Sequence, residues 1–73
     1  MGAPPAVRVD VRDMVCAQAL AVVAHAMEHL RAGEALEVLY NAADVRQDLL
    51  VWAGERARTV QETAPGILQM QRA

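Results

Sequence analysis

Between residues 7 and 40 the apolar side chains change period twice, and this constrains the fold more tightly than anything else in the chain. Val7, Val9 and Val11 alternate with Arg8, Asp10 and Arg12, the two-residue period of a strand that turns one face to a core. From about Cys16 to Ala32 the spacing becomes three and four. Cys16, Leu20, Val23, Met27 and Leu30 then share one helical face, and Gly33 supplies a stop. Leu36, Val38 and Tyr40 restore the two-residue period, and Asn41 ends it with turn chemistry. Strand, helix and strand in so short a run make a βαβ unit, with parallel strands and a right-handed crossover.

The rest of the chain completes a layer on that unit. Val45, Leu49 and Trp52 share a helical face, predicting a second helix from about Asp44 to Arg56, with Asp44 or a neighbour as its cap and Trp52 in the core. Two extended segments, about Arg58 to Glu62 and Ile67 to Arg72, flank Thr63-Ala64-Pro65-Gly66, where Pro-Gly signals a hairpin turn. The expected fold is an α/β (α+β) two-layer sandwich, βαβαββ, with two helices on one face of a four-stranded mixed sheet. Residues 7–73 form its single domain, behind a frayed, disordered tail over residues 1–6. Leu39, with Ile67 or Val60, is expected on the open face of the sheet, a patch that could meet a second copy or a partner.

Size and charge narrow the functional classes. A chain of 73 residues must commit most of its apolar side chains to packing, which leaves little surface for an elaborate catalytic pocket. Its single cysteine forms no internal disulfide and belongs to no zinc-finger spacing, which points to a reducing compartment, the cytoplasm. Seven arginines, no lysine and a net charge of -2 provide no basic face for direct nucleic-acid binding. The stretch from Met14 to Met27, broken by Gln18 and His25, is too short to span a membrane. Met1-Gly2-Ala3-Pro4-Pro5 lacks the basic start and apolar run of a signal peptide.

Four pieces in order carry a resemblance: Asp10-Val11-Arg12 followed by Cys16 at a helix start, Gly33-Glu34-Ala35-Leu36-Glu37-Val38, Asp48-Leu49, and Trp52. Jointly spaced through nearly the whole chain, they resemble the TusA (SirA-like) sulfur-carrier family. That family's Cys-Pro-x-Pro signature reads here Cys16-Ala17-Gln18-Ala19, and its glycine after the first-strand arginine reads Asp13. A Gly-His pair near the third strand is replaced by Ala57-Arg58, and the acidic turn after strand two by Asn41-Ala42. The resemblance implies the βαβαββ fold shared with the C-terminal domain of a bacterial translation initiation factor. It also implies a persulfide sulfur carried transiently on Cys16, with no resident cofactor and no bound metal. The donor protein would be of the cysteine desulfurase or rhodanese type, and the acceptor a protein in tRNA thiolation, molybdenum-cofactor synthesis or sulfur oxidation.

A carrier needs a thiolate to attack the donor persulfide and an exposed terminal sulfur to pass on. At a helix N-terminus the free amides and the dipole favour the anion by roughly 0.3–1 kcal/mol, which lowers a thiol by less than about one pKa unit. Arg12 is a candidate for added positive potential and Asp10 a supporting neighbour, while Asp13 would oppose the anion if its carboxylate lies close. Without the two prolines, Ala17 and Ala19 let the helix begin earlier and draw Cys16 into its first turn. A sulfur on the face of Leu20 and Val23 could equally be an inert buried thiol. The rival class is an interaction or regulatory module of the same fold without sulfur transfer, and a free-standing redox-sensing thiol is a third reading.

One further string stands out. His25-Ala26-Met27-Glu28-His29 matches H-x-x-E-H of inverted zinc peptidases, yet the chain offers neither a third ligand nor a cleft. The two histidines and Glu28 fall opposite Leu20, Val23 and Met27, as a solvated polar face with local ion pairing would, and adventitious metal binding by the histidine pair is the minor alternative. Met14, Met27 and Met70 read as gap-filling core residues, and Glu34, Glu37 and Glu62 as solvated.

Overall fold

A computed structural model describes residues 5–72 of the chain, apart from the side chain of Arg58. Its elements are β1 (Val7–Asp10), α1 (Cys16–Glu28), β2 (Ala35–Leu39), α2 (Ala43–Arg56), β3 (Ala57–Ala64) and β4 (Ile67–Arg72). The sheet order is β1-β2-β4-β3, with β1 and β2 parallel and the other neighbours antiparallel. This is the βαβαββ α+β fold expected, with β4 threaded between β2 and β3. Of the expected tail, residues 1–4 lie outside the described residues, and the Ala6 N–H donates to the Ala35 carbonyl at 2.9 Å.

Register explains the burial. Val7 pairs with Leu36 and Val9 with Val38, while across β2 Leu36 pairs with Met70 and Val38 with Leu68. Side chains alternate across a strand, so these residues share one face. Leu36, Val38, Leu68 and Met70 are fully buried there, in one cluster with Val23 of α1 and Val45 and Leu49 of α2. Each large side chain so buried contributes about 1.5–3 kcal/mol. The opposite face carries the Arg8–Glu37 ion pair at 2.5 Å, together with Gln69 and Gln61 in the same row. Leu39 and Ile67 pair on that outer face as expected, whereas Val60 pairs with Met70 and belongs to the core side.

Three expectations need correction. Helix α1 ends at Glu28 instead of Ala32, because His29 and Leu30 bond to carbonyls three residues back, Ala26 O and Met27 O, which tightens the last turn. Gly33, at φ 87°, then serves a turn closed by Glu34 N–H to Arg31 O. Asp44 is not the cap of α2: Ala42 stands at that position without a side-chain bond, and Asp44 lies in the first turn. Trp52 is half-buried, with the Arg56 guanidinium 5.4 Å from the centre of its ring.

The ends of the sheet are tied by side chains. Gly66, at φ 83°, makes the tight β3–β4 turn and offers its carbonyl to Tyr40 N–H at 3.0 Å; a Cβ there would sit 3.1 Å from Tyr40 O. The Arg72 guanidinium donates to the carbonyls of Glu28 and Leu30, capping the C-terminus of α1 from the last strand. Glu62 of β3 accepts from the Tyr40 hydroxyl and from Arg46 of α2, at 2.9 Å for the latter, so one carboxylate ties β3 to α2 and to the residue that follows β2. Arg46 first and Tyr40 second hold the Glu62 carboxyl below its ordinary value of 4.5. A group whose pKa is lower folded than unfolded stabilises the fold fully above the unfolded value and loses that contribution as pH falls through the folded one. Urea melts of Glu62→Gln below pH 4.5 should therefore show a shallower acid loss than the parent chain; parallel curves would refute this role for Glu62.

Candidate functional site

The carboxyl ends of the parallel strands β1 and β2 lie side by side, so the loops leading into α1 and α2 meet at one edge of the sheet. Ligand and reaction sites of α/β sheets gather at such edges. Here the first loop turns sharply: Met14 N–H bonds to Val11 O at 3.3 Å, and Asp13 takes φ 65°. That left-handed geometry favours glycine and costs a non-glycine residue about 1 kcal/mol.

Asn41, the first residue after Tyr40, holds this turn from the second loop. Asp13 N–H donates to Asn41 Oδ1 at 2.9 Å, and Asn41 Nδ2 donates to Asp13 Oδ1 at 2.8 Å. The reciprocal pair offsets the strain and fixes one loop on the other. Asn41→Ala should lower stability by about 1 kcal/mol, read as a lower urea midpoint at unchanged slope; an unchanged midpoint would show that the clamp holds nothing.

Cys16 follows as the first residue of α1, with Val15 in extended geometry before it at the cap position. The helix has therefore taken Cys16 into its first turn, as alanine at positions 17 and 19 allows. Its side chain is partly buried against the core, while Val15 is 70 % exposed and Ala17 is exposed beside it. A sulfur so placed is neither sealed in the core nor fully presented.

Asp10 and Arg12, the expected supports, hold each other. Arg12 Nε and Nη2 donate to the two Asp10 oxygens at 3.0 and 2.7 Å, and Arg12 N–H donates to Asp10 Oδ1 at 3.0 Å. The Arg12 guanidinium and amide bring the Asp10 carboxyl down to about 2. Paired in this way, Arg12 is not among the groups that set the ionisation of Cys16.

Those groups are Asp48 and Asp44, one turn apart on α2, which the sequence reading did not connect with the thiol. The neighbouring Asp48 carboxylate first, then burial, then the negative charges of Asp44 and Asp48 push the Cys16 thiol up to about 11. The carboxylates outweigh the N-terminal dipole of α1, so the balance favours the protonated sulfur. At pH 7 about one molecule in ten thousand then carries a thiolate, against about one in a hundred at the ordinary value of 9.0. Asp13, expected to oppose the anion, is turned to Asn41 and takes no part in the shift.

Elsewhere, Trp52 and Arg56 of α2 and Arg72 of β4, with Ala24, Met27 and Glu28 of α1, line an open groove of about 420 Å³ that does not include Cys16. No helix among the described residues is long and apolar enough to cross a membrane. Among the described residues, no three His, Cys, Asp or Glu side chains converge as metal ligands. Of protein-family models, curated proteins and solved structures, none matches the chain.

Proposed function

We propose that the chain is a small sulfur carrier that accepts a persulfide sulfur on Cys16 from a donor protein and relays it to an acceptor protein. The observation that carries this reading is the partly exposed position of its single cysteine, at the first residue of α1 and on the edge where both βα loops meet. The Cys16 thiolate attacks the outer sulfur of a donor persulfide, the donor's S–S bond breaks, and the donor leaves as a thiolate that takes up a proton. Cys16 then bears a hydrodisulfide, and attack of an acceptor thiolate on its terminal sulfur restores the free thiol. No net oxidation occurs, so neither step needs a cofactor.

Asp44 and Asp48 fit this cycle as a restraint on the resting state. A thiol near 11 is a poor nucleophile until positive charge on a docked partner offsets the two carboxylates. The same pair favours a second reading, an interaction module of this fold that has lost sulfur transfer, in which the acidic surface binds and the sulfur is idle.

Incubation with a protein persulfide donor followed by intact mass separates the two. A carrier gains one sulfur, loses it to reductant, and gains none as Cys16→Ser. No adduct from any competent donor, with partner binding retained by Cys16→Ser, would leave only the interaction module.

A further inference from the structure

We propose that His25 and His29 form a two-histidine site for a divalent first-row transition-metal ion, with Zn²⁺ or Ni²⁺ as the probe, at the C-terminal end of α1. The two Nε2 atoms approach to 3.3 Å, with the rings nearly perpendicular at 80° and their centres 4.6 Å apart. Zinc binds imidazole nitrogen at about 2.0–2.1 Å, and two such bonds at the tetrahedral angle place the nitrogens about 3.3–3.4 Å apart. The side chains therefore already span one edge of a tetrahedral ion's coordination shell. His25 lies in the last turn of α1 and His29 is its C-cap residue, still right-handed at φ -88° and ψ -4°, so the pair keeps the neighbouring placement of residues four apart on a helix.

Both histidines are exposed, and water can fill the remaining coordination positions. With no third side chain converging among the described residues, the site is open and of modest affinity. Imidazole ligands select zinc, copper and nickel over magnesium or calcium, which prefer oxygen. The Arg72 guanidinium already caps the Glu28 and Leu30 carbonyls, so attraction of the ion falls to the imidazole lone pairs and not to the helix end. Cys16 lies nine residues away, about 14 Å along the helix axis, and cannot share an ion with the pair.

Calorimetric titration of the chain with ZnCl₂ and with NiCl₂ tests the site. One ion should bind per chain, with affinity at least tenfold weaker in His25→Ala and in His29→Ala, unchanged in Cys16→Ser, and no binding of MgCl₂. Both histidines are exposed, so neither variant disturbs the core, and circular dichroism checks the fold. Binding by the histidine variants equal to that of the parent chain, or lost only in Cys16→Ser, would overturn the proposal.

Discussion

Leu36→Ala is expected to leave most of the chain unfolded at 25 °C. Leu36 sits on β2, between β1 and β4, is 0 % exposed, and faces Val7 on one side and Met70 on the other. Truncating a leucine in such a position costs about 2–5 kcal/mol, because strands hydrogen-bonded on both sides cannot close over the cavity. A domain of this length seldom has more than about 3–5 kcal/mol in hand, and its one cysteine is free. Far-ultraviolet circular dichroism and a urea melt read the outcome directly. A midpoint like that of the parent chain would mean that the core is not organised around β2.

The second large effect concerns reactivity. Replacing both Asp44 and Asp48 by asparagine removes the carboxylates that hold the Cys16 thiol near 11, so its pKa should fall toward the ordinary 9.0, with burial retaining part of the shift. Moving the whole way would raise the thiolate population at neutral pH about 100-fold, while each thiolate would become roughly tenfold less nucleophilic. Alkylation by iodoacetamide at pH 7.5 should therefore quicken by up to about tenfold. The pH midpoint of alkylation should move down in parallel. An unchanged rate would show that the two aspartates do not govern the sulfur.

The valine alternation and the helical spacing of Leu20, Val23 and Met27 made the layers legible, because burial on one face imposes those periods directly. Leu30 misled the helix boundary for the same reason: it is buried, and so keeps the apolar period, yet it lies beyond the last helical residue. The cap from Arg72 to α1 joins residues more than forty positions apart, and no local pattern announces it. Cys16 could be picked out as the chain's only cysteine, and Asp13 as a departure from a glycine position, whose φ of 65° is the left-handed geometry glycine favours.

The electrostatics of that site were not legible. Asp44 and Asp48 share a face of α2 by their spacing, but only the packing of α2 on α1 decides that this face meets the thiol. Arg12 read as a source of positive potential because it stands between β1 and the start of α1. Its bidentate pairing with Asp10 removes that role, a local contact two residues away that competes with any longer-range one.

Sulfur handover tests the central claim most directly. Cys16 is loaded from a donor whose outer persulfide sulfur carries an isotopic label, the donor is removed, and an acceptor thiol is added while both chains are followed by intact mass. A carrier should show one labelled sulfur on Cys16, then the same label on the acceptor, with the chain back at its unmodified mass and Cys16→Ser silent at both stages. Label that never reaches Cys16, or that stays on it in the presence of the acceptor, would contradict a relay through this cysteine.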